Sequence, residues 1–363
     1  MLNATAFLVG VVVWPWFIGF ATTPRWAVLS VAVPLMCVNL RVRPTVGHVF
    51  GGAFLAWTTL SLAWSINFAD GVNELWKWML LAGAFCVGAE TDDLAGFWRG
   101  VGLAVAVCAA VVVAQLLGYS FVPQMAPPAG LFGNRIFLAE LAALALIGLA
   151  GRSWLALPAV FVLAVATSFG AALGVGTAAA AWMWRRSRLA ALALPPLILA
   201  VVVAVSPRPS VESGVERHMV SAAVRTALWL DVVTLVTPLG HGVGSYYAAE
   251  AAASPRQQAM NVREAHAHDD PLELVFEFGA PAALLACVVW AALGAAPFRE
   301  RLALVAFLAE GLVGFPLHNP ATAFVAAVVA GHLCGCGSRL REPFARRREA
   351  GSRRAAATFV SPV

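Results

Sequence analysis

Apolar stretches of about 15 to 25 residues recur along most of this chain, and only short polar breaks separate them. Such a pattern fixes the solvent before it fixes the fold. Of 363 residues, 61% are apolar and 12% are charged, with a mean hydropathy of +0.81. A soluble domain carries roughly a quarter charged residues, so this chain lacks the polar coat a water-soluble core needs. Lipid must surround most of it.

Twelve spans are expected, at residues 5–21, 26–40, 47–64, 75–90, 99–118, 136–151, 153–168, 170–184, 189–206, 271–296, 302–316 and 320–337. The sequence thus predicts an all-α, polytopic transmembrane helical bundle with a GT-C-like architecture. It divides into spans one to nine (1–206), a long loop (207–270), spans ten to twelve (271–337) and a basic tail (338–363). The first apolar run has no positive start and no clear small-residue cleavage site, so it reads as a span and not as a removed signal peptide. The six cysteines (37, 86, 108, 287, 334 and 336) lie in or beside apolar runs and read as small packing residues. Glu140, Lys77 and Glu310 fall within or near spans, where ionisable groups usually face protein or water. A buried, hydrogen-bonded carboxyl is expected for Glu310.

Basic residues in short loops set the orientation. The 24 basic residues are 23 arginines and Lys77. With the tail in the cytoplasm, that side also receives Arg299 and Arg301, Arg185, Arg186 and Arg188, Arg152, Arg99, and Arg41 and Arg43. The short loops opposite receive only Arg25 and Arg135. Twelve spans with both termini inside satisfy the rule at every turn, and the long loop then faces outward.

That loop holds Arg208, Arg217, Arg225, Arg256 and Arg263, and four of the seven histidines. Residues 215–236 read as a helix ending before Pro238, followed by the glycine-rich turn Gly240-His-Gly-Val-Gly244. Just before span ten stands His266-Ala-His268-Asp269-Asp270. Three readings of it are open. The residue types suit a metal, although the match to metallohydrolase spacing is short. Asp269 or Asp270 suits a helix N-cap, with Pro271 in the first turn. A histidine there suits a general base. Arginines on a face that topology leaves uncharged suit fork-shaped pairing with a phosphate.

Several of these outer segments carry a family resemblance. Thr59 to Phe68, with Trp64-Ser65, looks like a Leu-Trp-Ser turn after the third span. Gly130-Leu-Phe-Gly-Asn134 followed by Leu138-Ala-Glu140 is similar to a Gly-x-Phe-x-Asn-Pro-Asn-x-Leu-Ala stretch. Arg225-x3-Trp229 with Pro238-Leu-Gly240-His-Gly242, and His268-Asp269 nine residues before Gly279, match two further signatures. In this order they resemble the O-antigen ligase and O-antigen polymerase-like superfamily of bacterial membrane glycosyltransferases. A Ser-Arg-Gly of that family is Ser168-Phe169-Gly170 here, and Arg135 stands where it has proline, so Arg135 is expected to supply the missing charge.

The resemblance implies transfer of a glycan from an undecaprenyl-diphosphate carrier to a hydroxyl acceptor, which is a second glycan, a lipid A core or a protein. The transfer takes place at the periplasmic face of the inner membrane, with no metal, nucleotide sugar or other cofactor and no nucleic acid. His268 is then the acceptor-activating base and Arg225 its catalytic partner on the diphosphate. Arg263, Arg135, Arg217, Asn134 and His266 bind substrate, and His266 is the alternative base. A transporter or flippase of lipid-linked saccharide is the rival reading, favoured by mid-span breaks such as Pro34, Pro158 and Pro195-Pro196.

Overall fold

The computed structural model describes residues 1–16, 19–120, 122–124, 127–184, 186–205, 214–253, 266–294 and 298–338. Among them the regular structure is helical. In chain order the helices are α1 (Leu2–Val11), α2 (Thr22–Cys37), α3 (Val46–Ser61, with a 3-10 turn to Trp64), α4 (Phe68–Glu90) and α5 (Ala95–Leu116). They continue with α6 (Arg135–Leu149), α7 (Ala156–Ala166), α8 (Phe169–Met183), α9 (Arg188–Val205), α10 (Gly214–Leu235) and α11 (Tyr246–Ala253). The last four are α12 (Asp270–Phe278), α13 (Ala283–Leu293), α14 (Phe298–Gly311) and α15 (Pro320–Ser338).

Every expected apolar stretch overlaps a helix. Among the described residues, three helices are long and apolar enough to cross a membrane by length and composition: α3 with its 3-10 turn, α5 and α15. Others are short; the eleven residues of α7 extend only about 16 Å. Apolar side chains also crowd the outside, where Leu189, Trp290, Leu157 and Val31 are 83%, 75%, 68% and 63% exposed. A water-soluble monomer rarely displays such a surface. These features together point to membrane association.

Two expected spans are corrected. The first, placed at 5–21, is helical only to Val11, where Val12 turns extended (φ −68°, ψ 128°). Pro15 lies beyond, and a proline there can neither donate to the preceding turn nor clear its carbonyl. The tenth, placed at 271–296, is broken at Gly279, whose φ of +64° no helix accommodates. Pro281 follows in a 3-10 turn, and α13 resumes after it.

Helix α15 lies near the centre, with 78% of its apolar stretch buried inside the protein against 22% for α3. The core joins Phe97, Trp98 and Val101 of α5, Leu138 and Leu141 of α6, and Phe324 and Leu333 of α15. Small residues let the backbones come close, as membrane helices require in the absence of a hydrophobic drive between them. A Cβ on Gly331 would stand 1.9 Å from the Phe85 carbonyl oxygen, and one on Gly335 2.0 Å from that of Ala89. The six cysteines are free thiols, as a packing role demands.

Loop contacts sort the connections into two ends. At one end the Arg43 N–H donates to Glu90 at 2.6 Å, His332 Nδ1 meets the Thr91 carbonyl at 2.8 Å, Arg152 faces Glu300 at 3.6 Å and Arg299 donates to the Ala150 carbonyl at 2.7 Å. At the other, Ser65 donates to the Val243 carbonyl at 2.8 Å, Asn319 to that of Phe137 at 3.2 Å and Arg225 to that of Val313 at 3.3 Å. The short loops that carry Arg43, Arg152 and Arg299 lie at the first end. The segments singled out for chemistry meet at the second.

Arg25 holds that second end together. It is fully buried, its guanidinium 3.6 Å above the Phe132 ring, and its Nη2 donates to the carbonyls of Leu131 (3.0 Å) and Gly10 (3.4 Å). Sequence order alone placed it in a loop. Arg25→Ala is expected to lose about 2–4 kcal/mol, because two carbonyls lose their donor and a cavity opens. Thermal unfolding in detergent checks this; a wild-type midpoint would refute it.

Candidate functional site

Helix α10 builds the site from one face. Arg225 and Trp229 are four residues apart and so stack on the same side. Arg225 Nη1 donates to Val313 in the segment after α14, and Trp229 Nε1 donates to the Ala267 carbonyl at 2.9 Å. One helical turn thus clasps both the loop before α12 and the loop before α15.

Asp269 caps α12, its side chain accepting from the Leu272 N–H at 2.9 Å, with Pro271 in the first turn. The N-cap reading of the sequence therefore holds for Asp269. Asp270, buried at 3% exposure, accepts instead from the Leu317 N–H at 2.9 Å and ties α12 to the loop before α15. One turn on, Glu273 points back at the loop. Its Oε2 accepts from the Ala267 N–H at 2.8 Å, while its Oε1 meets His266 Nδ1 at 3.0 Å and His318 Nε2 at 3.1 Å. The two imidazoles face each other with centroids 3.9 Å apart.

Phe315 is the shared floor. His266 stacks on it at 4.9 Å and His268 meets it edge-on at 4.8 Å, while Phe137 near the start of α6 packs against it at 5.3 Å. His268 has a φ of +56°, a left-handed conformation uncommon outside glycine. Residues held in such regions often cluster at functional sites.

Charge is divided unevenly across the cluster. Burial disfavours a proton on His318, but the Glu273 carboxylate beside it, by charge and hydrogen bond, and Asp270 outweigh that and push it up to about 10. His266 moves the other way, lowered by burial and by the neighbouring His318, with Glu273 opposing only in part. Near neutrality His318 carries the charge and His266 does not. A neutral His266 donating from Nδ1 to Glu273 keeps a lone pair on Nε2.

The glycine-rich turn is built against the far end of α12. The N–H groups of His241 and Gly242 donate to the carbonyls of Phe276 and Glu277 at 3.0 and 2.9 Å, and Ala280 donates to Pro238 at 2.9 Å. Gly240, Gly242 and Gly244 all have positive φ. A Cβ on Gly240 would stand 2.2 Å from the Glu277 carbonyl, so this approach requires glycine. Ser65 closes the arrangement through Val243, and Ser245 accepts from the Ile66 N–H at 3.1 Å.

The expected residues fare differently. His266 and His268 come together on Phe315, and Arg225 reaches the Val313 carbonyl two residues before it. Asn134 caps α6, accepting from the Ile136 N–H at 2.9 Å, and Arg135 opens that helix two residues before Phe137. Arg217 is on α10, but its side chain lies outside the described residues, as does all of Arg263. Two central groups have no role in the sequence reading: Glu273, and His318 in the outer-face segment Pro316-Leu-His-Asn-Pro320. The one signal for them was polarity inside apolar surroundings. Glu310 departs from expectation: it is fully buried on α14, yet neither carboxyl oxygen has a hydrogen-bond partner among the described residues; Glu140 on α6 is buried too. No protein-family model matches this sequence, and no curated protein matches it.

Proposed function

We propose that the chain is a twelve-span glycosyltransferase of the O-antigen ligase or polymerase type, at the outer face of the bacterial inner membrane with both termini cytoplasmic. The observation that carries this reading is convergence. Segments resembling the family's signatures lie up to 180 residues apart, yet Ser65 contacts Val243 and Ser245, Gly242 contacts Glu277, and Trp229 contacts Ala267. The sorting of the loops that carry Arg43, Arg152 and Arg299 to the opposite end supports the orientation.

The donor, an undecaprenyl-diphosphate-linked glycan, already stores the energy in its glycosyl–phosphate bond. The protein must hold the diphosphate, stabilise charge on the leaving oxygen and take one proton from the acceptor hydroxyl of a glycan, a lipid A core or a protein. His268 takes that proton, its ring aimed by the left-handed backbone and the Phe315 edge. Arg225 and Arg135 serve the diphosphate from α10 and from the start of α6, and Arg263 and Arg217 are assigned to substrate binding on the sequence resemblance alone.

His268→Ala is expected to abolish glycan transfer while the protein still accumulates in the membrane. A deletion strain complemented with each variant, its surface glycans resolved on a gel, reads this out. Loss of long chains with one repeat unit kept identifies a polymerase; bare core with intact lipid-linked polymer identifies a ligase. Wild-type glycans from the His268→Ala strain would sink the assignment. The buried carboxyls of Glu140 and Glu310 inside helices favour a second reading, transport of a lipid-linked saccharide. Purified protein forming product from lipid-linked donor and acceptor in detergent, with no second compartment, separates the two.

A further inference from the structure

We propose that His266, Glu273 and His318 form a binding site for a first-row transition metal of the zinc class, a site distinct from the His268 that serves the transfer chemistry. The three offer two imidazole nitrogens and a carboxylate oxygen that all lie within 4.8 Å of one another. His266 Nδ1 and His318 Nε2 stand 3.0 and 3.1 Å from the same oxygen, Glu273 Oε1. Ligand atoms on a tetrahedral zinc, about 2.0–2.2 Å from the metal, are roughly 3.3–3.6 Å apart. Small side-chain movements, with release to solvent of the protons that His266 Nδ1 and His318 Nε2 share with Glu273, therefore admit an ion without moving a helix.

A second observation points at the same centre. Asp270 is buried, and its Oδ1 has no hydrogen-bond partner among the described residues, yet it lies 3.8 Å from His318 Nε2. At that distance the oxygen gains the attraction of the imidazolium but no hydrogen bond, which is costly in a buried site. As a fourth ligand it completes a two-histidine, two-carboxylate set whose two negative charges a divalent ion neutralises. Mixed nitrogen and oxygen donors suit zinc or cobalt and not calcium or magnesium, which prefer oxygen alone.

The surroundings resemble an outer shell. The Ala267 N–H fixes the second oxygen of Glu273, and the Leu317 N–H fixes the second oxygen of Asp270. Each carboxylate is thus oriented by backbone from the loop that carries one of the histidines. The ion would fasten three separate segments, the turn before α12, α12 itself and the loop before α15. Its place in the protein is that of a clasp.

The test uses the full-length protein in detergent, with an affinity tag free of histidine. After chelator stripping and dialysis, it is titrated with cobalt(II), followed by visible absorption, and with zinc, followed by elemental analysis. About one equivalent per chain is expected, with a tetrahedral cobalt spectrum, and calcium is not retained. His266→Gln and His318→Gln are expected to weaken binding by more than the roughly 10–100-fold that losing an outer-shell partner costs. His268→Ala is expected to keep the metal while losing glycan transfer, so the failure of either reading leaves the other standing. Substoichiometric uptake by the wild type, or equal uptake by the His266→Gln, His318→Gln double variant, would overturn the site. Should the variants fold poorly, the cobalt spectrum of the wild type decides alone: an octahedral, solvent-like band refutes it.

Discussion

Glu273→Ala is expected to destabilise the protein by about 3–5 kcal/mol, the cost of removing one partner from a buried ionic cluster. Glu273 is 4% exposed, and its two oxygens serve three donors: His266, His318 and the Ala267 N–H. Deleting it leaves His318 in a buried position with only the more distant Asp270 to support its charge, so the imidazole gives up its proton. The loop before α12 loses its anchor at the same time. Intrinsic tryptophan fluorescence during heating in detergent should register a fall of roughly 10 °C in the midpoint. Glu273→Gln, which keeps one acceptor oxygen for the Ala267 N–H, should fall less. Midpoints for both variants within a degree of wild type would mean that the cluster does not hold this end together.

The other large effect is expected where α4 crosses α15. In Gly331→Leu, the first added carbon already meets the Phe85 carbonyl oxygen at 1.9 Å, and that oxygen belongs to a rigid helix. Gly88, on α4, is as tightly placed against the Val328 carbonyl at 2.1 Å. Neither helix has room to yield by side-chain rotation. The two must separate, and α15 is the most enclosed helix of the three able to cross a membrane. A loss of at least about 3 kcal/mol follows, at or beyond the upper end of ordinary overpacking. Membrane-accumulated protein, measured by blotting, should drop about tenfold or more. Gly52→Ala is the control: nothing lies within 4 Å of its new carbon, and alanine is the better helix former. Normal accumulation of Gly331→Leu would show that the crossing is looser than drawn.

Local patterns were readable from sequence because their causes are local. The helix expected at 215–236 is found at Gly214–Leu235, and Asp269 caps its helix as aspartate before a proline should. The glycine-rich turn was visible, though the sequence could not say that its glycines exist to approach the Glu277 carbonyl. What escaped was long-range. His318 meets Glu273 across 45 residues, and nothing in a His-Asn-Pro triplet foretells a carboxylate partner on another helix. Arg25 was read as a loop cation because topology arguments count charges and do not see the Phe132 ring above which this one lies. Hydropathy also runs straight through Gly279, since an apolar run carries no mark of where its backbone reverses φ. Pro15 did leave such a mark, and an apolar window averaged over it.

The interruption at Gly279 bears on how the chain enters the bilayer during synthesis. Residues Ala280–Leu293 form an apolar stretch of about 21 Å, short of the roughly 30 Å hydrocarbon thickness, and the nine residues of α12, ahead of Gly279, carry Asp270, Glu273 and Glu277. A charged residue at a helix centre costs about 2.5–3.5 kcal/mol on translocon insertion, so the translocon has little reason to release this region sideways as one segment. Helix α12 must instead wait for ready-made partners, the Gly240–Gly244 turn on one side and the Leu317 amide on the other. Because Leu317 is made after α12, the seat of α12 is completed only once the chain has been extended 39 residues beyond Phe278, the last residue of that helix.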